Sequence, residues 1–118
     1  MSRVNFDALA SEHPESKNAL NELEAWLRRH KDARIIYPQI LAREVFIDPI
    51  ALVTALELLV EAGALRRVYK VTTPNGVLTD EEFDDPRNIP SQLPDRRNRY
   101  FDTAESDVIP VFQIQMVA

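Results

Sequence analysis

The stretch DPIALVTALELLVEAG, residues 48 to 63, opens like a helix, runs as one and stops like one. Asp48 is a natural N-cap, Pro49 suits the first helical turn, and Gly63 supplies the stop. Between them lie Glu57 and Glu61 but no Lys, Arg, Asn, Gln, Ser or His. Placed on a wheel at about 100° per residue, Ile50, Thr54, Glu57 and Glu61 share an arc of about 60°. The apolar residues fill an arc of about 220°, while a helix resting on one core needs a stripe of only about 100° or somewhat more. Something must cover the excess. Either the rest of the chain buries it, or part of it, centred on Ala51, Leu58 and Ala62 and rimmed by Glu57 and Glu61, meets another protein chain.

Upstream, PQILAREV (38–45) is a second helix with Pro38 in its first turn and Ile40, Leu41 and Val45 apolar. Phe46-Ile47 makes a tight connection between the two. ARIIY (33–37) is a short β-branched run that suits a small strand. Before it, SKNALNELEAWLRRHKD sets Leu20, Leu23, Trp26 and Leu27 at helical spacing, led by acids and closed by Arg28, Arg29 and Lys31. Residues 1–15 form an arm or a short helix from about Asn5 to Glu12, ended by Pro14.

Downstream, ALRRVYKVT alternates as a strand in which Leu65, Tyr69 and Val71 share a face. VIPVFQIQMV (108–117) reads as a half-buried strand, with Phe112, Ile114 and Met116 on one face, pairing antiparallel with residues 64–72. The segment Pro74 to Asp107 holds four prolines and Gly76. It reads as an ordered excursion on a hairpin, with a turn at Thr73–Gly76, a capped helical turn at Asp85-Pro86 and a short strand in Asn98–Asp102.

Composition narrows the function. Of 118 residues, 45% are apolar and 28% charged, which is ordinary globular composition for one domain. The absence of cysteine excludes disulfides, thiolate metal sites and cysteine nucleophiles. No apolar run approaches the roughly 20 residues of a membrane span, and the N-terminus lacks the apolar core of a signal peptide, so a soluble cytoplasmic protein is expected. TDEEFDD lacks the spacing and glycine of a calcium loop. His13 and His30 have no second ligand at metal spacing, and His30 fits a structural role at a helix end. No catalytic triad order or glycine-rich phosphate loop is present, so neither an enzyme nor a bound cofactor or metal is expected.

The order helix, short strand, helix, tight turn, helix, strand, long excursion, strand resembles the winged helix-turn-helix superfamily. The likeness rests on SKNALNELEAWLRRH and ARIIYPQILAREVFIDPIALVTALELLVEAGALRRVYKVTTPNG. It is similar to small prokaryotic regulators and accessory proteins, and implies an α+β winged helix over residues 16–118 with an elaborated wing at about 74–107. In that family the third helix enters the major groove and the wing contacts phosphates. The resemblance would thus place residues 50–62 against bases, with Arg66, Arg67, Lys70, Arg96, Arg97 and Arg99 near the backbone. The residues themselves argue otherwise. Bases are read by Arg, Lys, Asn, Gln or hydroxyl side chains, and phosphates repel carboxylates. A net charge of −5 points the same way.

The expected function is therefore a non-catalytic winged-helix domain working through protein contacts: an adaptor, accessory or regulatory subunit whose partner is another chain or a second copy of itself. The alternative is a dimeric DNA-binding transcriptional regulator contacting phosphates through the wing.

Overall fold

The computed structural model describes residues 4–115. Over these residues the chain is α+β, with four α-helices and a small antiparallel sheet. The helices are α1 (Phe6–Glu12), α2 (Lys17–Arg29), α3 (Pro38–Val45) and α4 (Pro49–Glu61). The strands are β1 (Ile35–Ile36), β2 (Leu65–Val71), β3 (Gln92–Pro94), β4 (Tyr100–Asp102) and β5 (Val108–Ile114). β1, β5 and β2 lie in that order in one sheet, and β3 and β4 form a separate hairpin. β5 is antiparallel to β1, with Ile35 opposite Gln113 and Ile36 opposite Phe112. It is antiparallel to β2 as well: the Gln115 amide donates to Ala64 O at 2.8 Å, and the Thr72 amide to Asp107 O at 3.0 Å. Met116, expected to continue β5, lies outside the described residues.

The described residues fall into two compact units, 4–66 with 112–115, and 67–111. The first is helical. In α2 the buried residues Ala19, Leu20, Leu23 and Trp26 repeat at three and four positions, the period that keeps one stripe on the core. α1 is capped by Asn5, whose side chain accepts from the Ala8 amide, and adds Phe6 and Ala10 to the core. α3 contributes Leu41 and Ala42, and leaves Ile40, expected on its apolar side, exposed. α4 contributes Leu52, Ala55, Leu56 and Leu59, again at three- and four-residue spacing. Phe112 and Ile36 close the core from the sheet. The Trp26 indole donates to a Glu44 carboxylate oxygen at 2.9 Å, so its polar edge is satisfied while its ring is buried. His30 stacks on that ring and its Nδ1 lies 2.9 Å from Trp26 O, a structural role at the end of α2.

The second unit is built by turns. Pro74-Asn75 form the corner closed by the Gly76 amide on Thr73 O, and Gly76 has a φ of +79°, a left-handed conformation open to glycine. Tyr69 and Phe83 exchange both backbone hydrogen bonds, and the Thr79 amide donates to Val71 O, so the returning chain covers the edge of β2. Asp85 caps a 3-10 turn over Pro86–Asn88. Asp95 accepts from the Arg97 and Arg99 amides, which holds the turn between β3 and β4 with Asn98 at a φ of +61°. Val68, Val71, Leu93 and Val111 are buried.

The second half of β2 departs from simple alternation. On one face Leu65 and Val71 are buried, Tyr69 half-buried and Arg67 exposed, while on the opposite face Val68 and Lys70 are buried too. The Lys70 ammonium explains its own burial. It donates to Thr79 O at 3.3 Å and stands 4.0 Å from a Glu82 carboxylate oxygen. The Thr79 hydroxyl beside this group is buried without a hydrogen-bond partner. An unsatisfied buried hydroxyl costs about 1–3 kcal/mol, so Thr79→Val, which keeps the shape, is expected to stabilise the fold by about 1 kcal/mol. Urea unfolding would measure it. A clear loss of stability would instead show that the hydroxyl makes a bond worth keeping.

Candidate interaction surface

The sequence EVFIDPI (44–50) places three apolar residues in a row at the end of α3, and a helix end can bury only some of them. The chain resolves this with a left-handed residue. Phe46 has φ 53° and ψ 43°. Its amide donates to Ala42 O, and the Ile47 amide reaches the same oxygen at 3.3 Å. The first is the bond of an αL helix ending and the second that of a Schellman ending, and in both the left-handed position normally belongs to glycine. Ile47, the next residue, turns inward. It is buried in the same core as Ala42 and Leu52, the partners expected of a Schellman ending and of a hydrophobic staple. Phe46 turns outward and is 94% exposed.

α4 then starts cleanly. Asp48 accepts from the Ala51 amide at 3.2 Å, and Pro49 occupies the first turn, where no backbone donor is needed. Asp48→Ala is expected to destabilise the fold by about 1 kcal/mol and Asp48→Asn by much less, which thermal unfolding would compare. An equal loss for both would mean that charge and not capping matters. Just inside the helix, Ile50 is 78% and Val53 36% exposed. They are one turn apart and so neighbours on the helix surface. The Thr54 hydroxyl donates back to Ile50 O at 2.9 Å, leaving it occupied by its own helix.

The residues expected at a protein interface are separated by the fold. Ala51 and Glu61 are exposed, and Ala62 is half-buried at the helix end. Leu58 is half-buried and packs against the core, and Glu57, also half-buried, has a contact within the chain. At the α3–α4 junction and the start of α4 the exposed large apolar side chains are Phe46, Ile50 and Val53, while Ile40, Val77, Tyr100 and Val108 are exposed elsewhere. A wheel drawn from residue 48 onward sets Ile50 on the outward arc but cannot include Phe46. The signal was the run Val45-Phe46-Ile47.

The basic residues expected near a nucleic-acid backbone are likewise dispersed. Lys70 is 8% exposed and held by Thr79 and Glu82. Arg96 donates to Leu78 O at 3.4 Å and lies 3.8 Å from an Asp80 carboxylate. Arg66 and Arg67 are exposed and engaged within the chain, while Arg97 and Arg99 are exposed on the Asp95 turn. The Arg99 amide, then the Arg97 amide and the charges of both side chains, hold the Asp95 carboxyl below the usual carboxylate range, against a contribution from burial that raises it. Asp85 is lowered too, first by the Arg87 side chain and then by its amide.

A cavity of about 210 Å³ is lined by Thr79, Asp80, Glu81, Pro94, Asp95, Arg96 and Asn98. Its charges serve the fold: Arg96 answers Asp80, and Asp95 secures the turn. Among the described residues no group of three or more His, Asp or Glu side chains is placed to hold a metal ion. None of the helices there is long and apolar enough to cross a membrane. In comparisons with known proteins, no family model, no curated protein and no solved structure matches the chain.

Proposed function

We propose that this protein is a non-catalytic protein-interaction domain with a winged-helix fold, acting as an adaptor or accessory subunit of a larger assembly. The element order supports the winged-helix part of the reading: α2, β1, α3 and α4 followed by β2, a long excursion and β5, with β1, β5 and β2 in one sheet. In such a fold α3 and α4 would be the helix-turn-helix, and residues 74–107 would elaborate the wing.

The observation that carries the functional reading is Phe46. A left-handed conformation costs a non-glycine residue about 1–2 kcal/mol, and here it holds an aromatic ring in solvent, with Ile50 and Val53 exposed on the next helix. The left-handed turn itself serves the fold by ending α3 and sending Ile47 inward, but glycine would make it without the steric cost, and the exposed ring adds nothing to it. Aromatic anchors in apolar patches do help protein association, where a few such residues dominate the binding energy. Direct reading of DNA by α4 has less support, since its exposed face offers Ile50, Val53, an occupied Thr54 hydroxyl and Glu61. Wing contacts to phosphate lose Lys70 to the interior.

Size-exclusion chromatography with light scattering tests the reading on the pure protein and on the complex isolated with it from its own cell. The wild type is expected to run as part of an assembly that Phe46→Gly dissolves. An assembly mass indifferent to Phe46 would remove the proposal.

A further inference from the structure

The exposed face of α4 changes character along its length. Ile50 and Val53 occupy its first half, and the half-buried Glu57 and the exposed Glu61 follow on the same side toward its end. With about 1.5 Å of rise per residue, the two carboxylates stand roughly 10 Å and 16 Å along the axis from Ile50. The last turn contains no basic residue. The carboxylates therefore sit where the helix dipole is already negative, the end that favours cations. Glu57 has a contact within the chain, whereas Glu61 is exposed.

We propose, building on the interaction surface described above, that its occupant is a cationic amphipathic segment of another protein. Apolar side chains of that segment lie on Phe46, Ile50 and Val53, and its Lys or Arg residues reach the carboxylate end of α4. The distance from Ile50 to the exposed Glu61 sets what fits: apolar anchor and basic group about 11 residues apart in a helix, or about 5 apart in an extended strand. A second copy of this chain is a poor match. It carries the same net charge of −5, and a symmetric contact of α4 with α4 would set carboxylate ends together with no basic residue between them. Nucleic acid has the wrong sign for this face.

The test uses two fluorescent helical peptides of about 14 residues, long enough to span the roughly 16 Å of the face. Both have Leu anchors at one end; one has Lys and its twin Glu at the other. Fluorescence anisotropy against the full chain is expected to show the Lys peptide binding at least tenfold more tightly than its twin. Glu61→Lys should cut that preference severalfold. Glu105→Lys, an exposed change of equal charge in the other unit, should leave it intact, separating a local effect from the attraction of a net-negative protein. Phe46→Gly should weaken both peptides. Equal binding of the twins, no binding of either, or equal effects of Glu61→Lys and Glu105→Lys overturns the inference. If Phe46→Gly weakens both peptides but charge reversal does nothing, the cationic partner falls and the apolar surface stands. If Phe46→Gly changes nothing, the surface itself is refuted.

Discussion

Phe112→Ala is expected to destabilise the protein by about 3–5 kcal/mol, the range for truncating a large aromatic in a packed core. Phe112 is 0% exposed and lies in the same core cluster as Leu20, Leu23, Leu52, Leu56 and Leu59. It is held there from the sheet, on β5 opposite Ile36 of β1. Removing the ring loses its burial free energy and leaves a cavity that helices fixed by their own hydrogen bonds can only partly close. With total stabilities of small domains near 5–15 kcal/mol, this single change would consume a large share of the whole. Urea unfolding should show a lower midpoint with little change in slope, because the surface exposed on unfolding is nearly the same. A loss below about 1 kcal/mol would mean the β5 side of the core is loosely packed.

The same residues show why parts of the fold could be read from sequence. Pro38, Asp48, Pro49 and Gly63 each act through local chemistry: a missing donor, a side-chain acceptor, a fixed φ, a left-handed stop. The bounds of α3 and α4 followed from them, and the helical stripe of α2 from its spacing. The alternation expected around Phe112 did not hold, since Val111 and Phe112 are both buried and Gln113 and Ile114 both half-buried. What stayed hidden depended on partners far along the chain. Lys70 looked like a surface cation in ALRRVYKVT because only the fold brings the Thr79 carbonyl and Glu82 to it. The burial of both faces of β2 from Val68 onward had the same origin, since Phe83 and Thr79 return to that strand from the excursion.

The interaction surface was hidden for a different reason. A wheel measures which way a residue faces within one helix, and Phe46 belongs to neither α3 nor α4. Its direction follows from a backbone conformation, φ 53°, that propensity alone would assign to glycine. The apolar excess of α4 was visible, but its location was not. Leu58 packs half-buried against the core, and the exposed share fell to Ile50 and Val53 at the other end.

Phe46→Gly is expected to change stability and association in opposite directions. Glycine adopts φ 53° without the steric penalty between Cβ and carbonyl oxygen, while a ring that is 94% exposed contributes little packing. Relief of that strain is offset in part by the greater freedom glycine gives the unfolded chain. The net result should be a protein as stable as the wild type or more so, by up to about 1 kcal/mol. Association should weaken by about 2 kcal/mol or more, the range of an aromatic hot spot and roughly a thirtyfold rise in Kd. Phe46→Ala separates the two effects: it removes the ring but keeps a Cβ in the left-handed region, so it should lose association as fully while gaining less stability. Thermal unfolding and equilibrium binding on the three proteins measure both quantities. If Phe46→Gly destabilises the fold by more than about 1 kcal/mol, the ring is supporting structure. A functional account of its strained, solvent-facing position would then have no basis. A gain in stability paired with a loss of assembly is the signature of a residue kept for its partner.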